Sequence, residues 1–344
     1  MGDRGRHRAQ GKAARGLLIL FLVLVLLGVG AGGLYLYTTG GFGPSTPVTV
    51  EIPEGATADE VGALLERQGV VRSALAFRAA TSIRGLGSSL QAGAYQLRTN
   101  MTVDEVLDVL ERGPMVQTVA LTIPEGLEVQ EVAQLTAETL PVDAALFQQR
   151  ATSGEFVLPP YLPEKAGTVE GFLFPKTYEF PPEAGEDEVI GRLLDQFEVE
   201  ADGLPWNRTD ELGLTPYEVV IVASLIEREA RVPQDRAPIS AVIHNRLREG
   251  MALQIDATVQ YALPETNREL TFEDYEFESP YNTYLHTGLP PTPIASPGRD
   301  ALQAALDPAN EDYLYFVVVD PETGEHAFAE TYKEFLRLKD QAGL

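Results

Sequence analysis

Residues 215–232 read TPYEVVIVASLIEREARV and predict an apolar helix. Thr215 is placed to cap the first turn, Pro216 suits the first helical position, and Glu218 completes a capping box. The helix should end before Pro233, because the proline ring disfavours α conformation in the residue that precedes it. The sequence therefore predicts a helix that ends, just before this proline, in two acids separated by one residue.

Helical geometry places these two acids, Glu227 and Glu229, on different faces. Glu229 continues the apolar stripe of Val222, Leu225 and Ile226, whereas Glu227 is rotated from it by about 200°. A carboxyl group at the end of a buried stripe, where the helix dipole disfavours negative charge, should have a raised pKa. A general acid needs that state near neutral pH, so Glu229 is the candidate catalytic residue.

A second helix is predicted over residues 235–249, and it carries Asn245 and Arg246 as candidate substrate-binding residues. Either Arg246 or Arg248 could instead pair with Glu229 in a structural salt bridge. The helices alone leave both roles of Glu229 open.

The next segment, residues 251–261 (MALQIDATVQY), is predicted to be extended. Gln254, Asp256 and Thr258 would then occupy alternate positions and share one face. Polar side chains that face one way beside a buried acid fit a sugar-binding groove. Gln254 and Asp256 are therefore expected to support Glu229, and Thr258 to contact substrate.

Two later loops, residues 279–284 (SPYNTY) and 287–298 (TGLPPTPIASPG), are rich in hydroxyl groups and aromatic rings. Carbohydrate sites use aromatic faces against sugar rings and short polar side chains for hydroxyl and acetamide groups. The substrate-binding candidates in the first loop are Tyr281, Asn282, Thr283 and Tyr284.

An internal repeat precedes this region. Residues 50–55 (VEIPEG) and, seventy-one positions later, 121–126 (LTIPEG) each join a short β-like run to a Pro-Glu-Gly turn and a helix. A weaker copy begins at residues 92–97 (AGAYQL). Repeated strand–helix units predict a small α+β module, which resembles the LysM-like portion of cell-wall proteins. A spacer domain without a ligand is the alternative.

The N-terminal region predicts a membrane anchor. Residues 17–37 carry no charge and, at about 1.5 Å per residue, match the thickness of a bilayer. Five basic residues precede this run and should stay in the cytoplasm, which places the C-terminal body outside. We expect a single-pass protein of the cell membrane.

The charge and composition of the chain exclude several classes of function. The net charge is −25, and the basic tail makes the rest of the chain still more acidic, which disfavours nucleic-acid binding. Without cysteine there are no disulfides or thiolate sites, and the four histidines lack metal-ligand spacing. Ser224 lies within a helix without a nucleophile elbow, so a serine peptidase is disfavoured. No metal or cofactor is expected.

Several ordered motifs resemble those of the endolytic murein transglycosylases, the MltG or YceG-like family. In that family the catalytic glutamate is the second acid of the Glu-x-Glu pair, which here is Glu229. The motifs are EGFLFPKTY at 170–178, ASLIEREA at 223–230, NRL at 245–247, MALQIDATVQYAL at 251–263, SPYNTY at 279–284 and TGLPPTPIASPG at 287–298.

The resemblance implies a lyase that cuts peptidoglycan without water. Glu229 would protonate the leaving oxygen of the β-1,4 bond between N-acetylmuramic acid and N-acetylglucosamine, leaving 1,6-anhydromuramic ends. Glu227 would only tune or position neighbouring groups of the site. Either Asp256 or the substrate's acetamido group would stabilise the cation. Such an enzyme would trim or terminate nascent strands, with cell-wall synthesis proteins as candidate partners.

The complete prediction is an α+β protein with five segments. They are a cytoplasmic tail (1–16), a transmembrane helix (17–37), a linker (38–47), a LysM-like module (48–115) and a YceG-like catalytic domain (116–344). The alternative function is a non-catalytic, membrane-anchored scaffold that binds the cell wall.

Overall fold

The computed structural model describes residues 43–87, 90–115, 117–159, 167–264 and 269–344, with isolated helical positions between 23 and 33. No helix in these described parts of the chain is both long and apolar enough to cross a bilayer. The expected anchor, residues 17–37, lies mostly outside the described residues and stays a prediction. The chain divides into two compact units, residues 1–117 and 118–344.

In its described residues from 43 onward, the first unit pairs two antiparallel strands beside three helices. The pairing runs from Pro47 opposite Arg98 to Ile52 opposite Gly93. Its elements are β1 (Pro47–Ile52), α1 (Ala58–Arg67), α2 (Ala74–Arg84), β2 (Gly93–Arg98) and α3 (Val103–Glu111). Its core comprises buried apolar residues from every element, among them Val50, Val61, Leu65, Phe77, Tyr95 and Leu107.

The second unit is mainly helical, and its described residues form two separate two-stranded antiparallel sheets, β3 with β4 and β5 with β6. Its elements are β3 (Val119–Thr122), α4 (Val129–Thr139), α5 (Ala144–Ala151), β4 (Thr177–Phe180), α6 (Glu186–Ala201), α7 (Thr209–Leu212), α8 (Pro216–Glu229), α9 (Arg236–Glu249), α10 (Asp256–Ala262), α11 (Arg299–Leu306), β5 (Tyr315–Asp320), β6 (Glu325–Ala329) and α12 (Tyr332–Ala342). Helices with small sheets confirm the α+β class, whereas the LysM-like assignment stays a prediction.

Helix α8 lies at the centre of the second unit. It begins as predicted, because the Thr215 hydroxyl accepts the Glu218 amide and the Glu218 carboxylate accepts the Thr215 amide. All residues from Val219 to Ile226 are at most 3% exposed, and the helix packs against α9, α10 and α11. α8 is therefore buried on every side, not along one stripe.

The repeat found in the sequence is a structural repeat. β1 and α1 are joined by the same turn as β3 and α4, with Gly55 at φ +72° and Gly126 at φ +78°. Thr57 and Glu128, at matching positions, are the N-cap residues of the two helices. The copies share a backbone path as well as a sequence.

The C-terminal strands differ from what their sequence indicates. The apolar, β-branched run at residues 313–319 (YLYFVVV) is typical of a buried strand, but within β5 only Val317 is buried. Among the described residues β5 pairs only with β6, and the other residues of β5 are half-buried.

Candidate active site

Glu229 is the last residue of α8, and its side chain is half-buried. Its carboxyl group accepts a hydrogen bond from the backbone amide of Ala257, in the first turn of α10. Burial, with the nearby charge of Asp256, raises the pKa of Glu229 to about 7, although the Ala257 amide and Arg228 act in the opposite direction. At neutral pH a large share of this group is therefore protonated, and the direction agrees with the prediction from the sequence.

Asp256 lies beside Glu229 and is exposed. The Tyr284 hydroxyl donates to its Oδ1 at 2.5 Å, and the Tyr275 hydroxyl donates to its Oδ2 at 3.3 Å. The two rings meet edge to face, with centroids 4.6 Å apart. Tyr275 was not singled out in the sequence, because it belongs to neither recognised loop. These contacts fix the position of the Asp256 side chain next to the Glu229 carboxyl group.

Glu227 has a different environment. Its side chain is only 7% exposed, its Oε2 accepts the backbone amide of Gly298 at 2.9 Å, and its Oε1 lies 3.9 Å from Arg236. Burial raises its pKa as well. The sequence placed Glu227 away from the buried face, which is wrong because α8 has no exposed face there. Glu227 joins α8 to the start of α11.

Arg246 and Arg248, the alternative partners of Glu229, are engaged elsewhere. Arg246 donates to the carbonyl of Leu314 at 2.7 Å and to that of Leu253 at 2.7 Å, and Arg248 donates to the side-chain oxygen of Asn245. Among the described residues, neither arginine forms an ion pair with Glu229. The structural salt bridge considered from the sequence is therefore not formed in the described part of the chain.

Asn245 holds a loop in place. It is buried, and its amide donates to the carbonyls of Glu311 and Tyr313 at 2.9 and 2.8 Å. Asn245 and Arg246 were predicted to contact substrate. In the structure their side chains instead form hydrogen bonds to backbone carbonyls of the protein.

The extended segment predicted over residues 251–261 is wrong, because α10 begins at Asp256. Thr258 is fully buried, and its hydroxyl lies 2.9 Å from that of Thr283. The Thr283 hydroxyl also accepts the Ile255 amide at 3.0 Å. Gln254 is exposed, with φ +53°, and does not share a face with Thr258. The threonines therefore pin the start of α10, while Gln254 and Asp256 remain open to solvent.

The other two loop candidates also differ from each other. Asn282 is fully buried and donates to the carbonyls of Tyr275 and Phe277 at 3.0 and 2.9 Å. Tyr281 is half-buried, with its ring 4.9 Å from that of Tyr261. Asn282 therefore shapes the loop that presents Tyr284.

A buried carboxyl group that the sequence did not single out is Glu170, in the EGFLFPKTY motif. It is 4% exposed, its two oxygens accept the Val129 amide at 3.2 and 3.1 Å, and Oε2 accepts the Tyr261 hydroxyl at 3.3 Å. Burial raises the pKa of Glu170 to about 8 and that of Glu128 nearby to about 7. The sequence feature that could have indicated this buried acid is its place beside the apolar residues of the same motif. Glu170 ties the start of α4 to α10.

The arrangement of Glu229, Asp256 and the two tyrosines can serve as a general acid site. A group that is partly protonated near neutral pH can donate a proton, and the adjacent carboxylate can stabilise developing positive charge. The described residues contain no group of three acids or histidines placed to hold a metal ion.

The comparisons with known proteins agree in naming one family. The YceG-like family model matches residues 50–341. An endolytic murein transglycosylase of Bacillus subtilis (strain 168) is 30% identical over 328 residues, covering 90% of each chain. One of Streptococcus pneumoniae (strain R6) is 31% identical over 320 residues, and the match spans 83% of this chain and 57% of that longer protein. The 2.6 Å crystal structure of a yceG-like protein from Listeria monocytogenes has a TM-score of 0.58 and 29% identity, covering 85% of this chain and 99% of the other. The chain belongs to the YceG-like family.

Proposed function

We propose that this protein is a peptidoglycan lytic transglycosylase that cuts glycan strands internally, with Glu229 as its general acid. The observation that carries the proposal is the half-buried Glu229 carboxyl with a pKa of about 7, next to the exposed carboxylate of Asp256. Relatives that match most of this chain are named endolytic murein transglycosylases, which supports the same reaction class.

The proposed reaction breaks the β-1,4 bond between N-acetylmuramic acid and N-acetylglucosamine. Glu229 donates its proton to the glycosidic oxygen as the C1–O bond breaks and C1 gains oxocarbenium character. The C6 hydroxyl of the muramic acid then bonds to C1, and its proton passes to the Glu229 carboxylate. The products are a free hydroxyl end and a 1,6-anhydro end, and no water is consumed.

A second enzyme nucleophile is not needed, because the substrate supplies its own. Asp256 and the acetamido group of the sugar are the two candidates for stabilising the cation. The structure favours Asp256 for this role, because its carboxylate is exposed beside Glu229 and held by Tyr284 and Tyr275.

The proposal includes a single-pass anchor at residues 17–37, with the catalytic domain outside the cytoplasm. Its support is the uncharged run and the basic tail before it. Protease added to intact spheroplasts should digest the body and spare the N-terminal tail. Recovery of the whole chain from the cytosol would contradict the anchor.

The enzymatic part is tested by incubating the purified protein with sacculi and weighing the released fragments. Wild-type protein should release fragments with 1,6-anhydromuramic ends, and Glu229→Gln should release almost none. If wild type releases nothing but sediments with sacculi, the alternative of a non-catalytic wall-binding scaffold is correct.

A further inference from the structure

The two copies of the Pro-Glu-Gly turn differ in what covers them. In the second copy, the Gly126 amide donates to the Ser296 carbonyl at 2.9 Å, and the Ser296 amide donates to the Leu127 carbonyl at 2.8 Å. Arg228 adds a bond from its guanidinium to the Gly126 carbonyl at 3.0 Å. This turn therefore binds the backbone of another loop at Ser296 together with a basic side chain.

In the first copy the corresponding residues, Gly55 and Ala56, are not bound by another described segment of the chain. Gly55 is exposed, and a methyl group built on it would meet no atom within 4 Å. Among the described residues, the Gly55 amide and the Ala56 carbonyl have no hydrogen-bond partner. They correspond to the Gly126 amide and the Leu127 carbonyl, the pair that binds Ser296.

A groove of about 310 Å³ lies along this uncovered turn. Three glutamates and one arginine are among the residues that line it, so the groove favours a ligand with positive charge. These charged residues are Glu51, Glu54, Glu60 and Arg67.

We propose that the turn at residues 53–56 binds an extended peptide segment that carries a basic group. The peptide pairs its N–H and C=O with the Ala56 carbonyl and the Gly55 amide, as Ser296 does in the second copy. Its basic group lies against the acidic groove, in the place that Arg228 takes beside Gly126. The site belongs to the first unit and does not depend on which reaction Glu229 catalyses.

The test uses the full chain labelled with ¹⁵N-glycine, so that the amide signals of Gly55 and Gly126 can be followed separately. The probe is the capped hexapeptide Ile-Ala-Ser-Pro-Gly-Arg, the sequence of residues 294–299. The Gly55 amide signal is assigned by its loss in Gly55→Asn, a variant chosen because asparagine tolerates positive φ. This signal should shift when the peptide is added. The Gly126 signal should stay in place, because that amide is already bonded.

Two matched variants test the charge. Glu54→Lys should weaken peptide binding about three- to fivefold, as expected for an exposed charge pair, and Glu66→Lys, exposed on α1 outside the groove, should not. A peptide with glutamine in place of arginine should also bind more weakly.

Chitotetraose is the competing ligand. If it shifts Gly55 and the peptide does not, the turn is a sugar site and the proposal is wrong. If neither ligand shifts Gly55 at millimolar concentration, or if both charge variants bind equally, the proposal is wrong as well.

Discussion

Replacing Glu229 with glutamine should abolish most cleavage and stabilise the fold at neutral pH. Glutamine keeps the size of the side chain and can still accept the Ala257 amide, but it has no carboxylic proton to donate. General acid catalysis is worth about 10²- to 10⁴-fold, so cleavage should fall by at least about 100-fold.

The effect on stability follows from the raised pKa. Glu229 titrates near 7 in the folded protein and near 4.5, its ordinary value, when unfolded, so the folded state holds its proton more tightly. The free energy of unfolding of the wild type therefore falls as pH rises from 4.5 to 7, by at most about 3 kcal/mol at about 1.36 kcal/mol per pH unit. In the glutamine variant this decrease in the free energy of unfolding should not occur, because glutamine does not ionise.

Urea unfolding at pH 4 and pH 8 measures the difference. The variant should match wild type at pH 4 and exceed it at pH 8, where Glu229 is ionised. Glu138→Gln, which removes an exposed charge from α4, is the control and should leave cleavage unchanged. Full cleavage by Glu229→Gln, or equal stability of the two proteins at pH 8, would refute this account of Glu229.

Three further outcomes follow from the same site. Glu227→Gln should reduce cleavage about tenfold or less, because the amide still accepts a backbone bond; a complete loss would exchange the roles of the two acids. Asp256→Asn should move the alkaline limb of the pH–activity profile to lower pH, because without that charge Glu229 ionises more readily; an unmoved limb would rule out the coupling. Thr283→Val should lower the free energy of unfolding by about 1–3 kcal/mol, because Thr258 loses a buried partner, and an unchanged melting curve would contradict that.

Local signals were sufficient to predict the limits of α8 and α9. The Thr215–Glu218 capping box lies within four residues of sequence, so the start of α8 could be predicted without any tertiary information. The IPEG repeat likewise predicted two strand–turn–helix copies, because the turn glycines and the helix caps are both local.

The errors came from contacts between residues distant in sequence. Glu227 was misplaced because its partner Gly298 lies 71 residues away, and helical phase assumes a single buried face. The start of α10 was missed because Thr283, 28 residues from Ile255, fixes it. Buried partners of this kind leave no periodic pattern in the sequence.

The most direct test of the central claim is cleavage of purified glycan strands in H₂¹⁸O. In the proposed reaction the substrate's own hydroxyl attacks C1, so the anhydromuramic ends made by the wild-type chain should contain no ¹⁸O. The total mass of the products should equal that of the substrate. Glu229→Gln under the same conditions should leave the strands intact. Reducing ends that carry one ¹⁸O, each fragment heavier by one water, would show a hydrolase and contradict the proposed reaction.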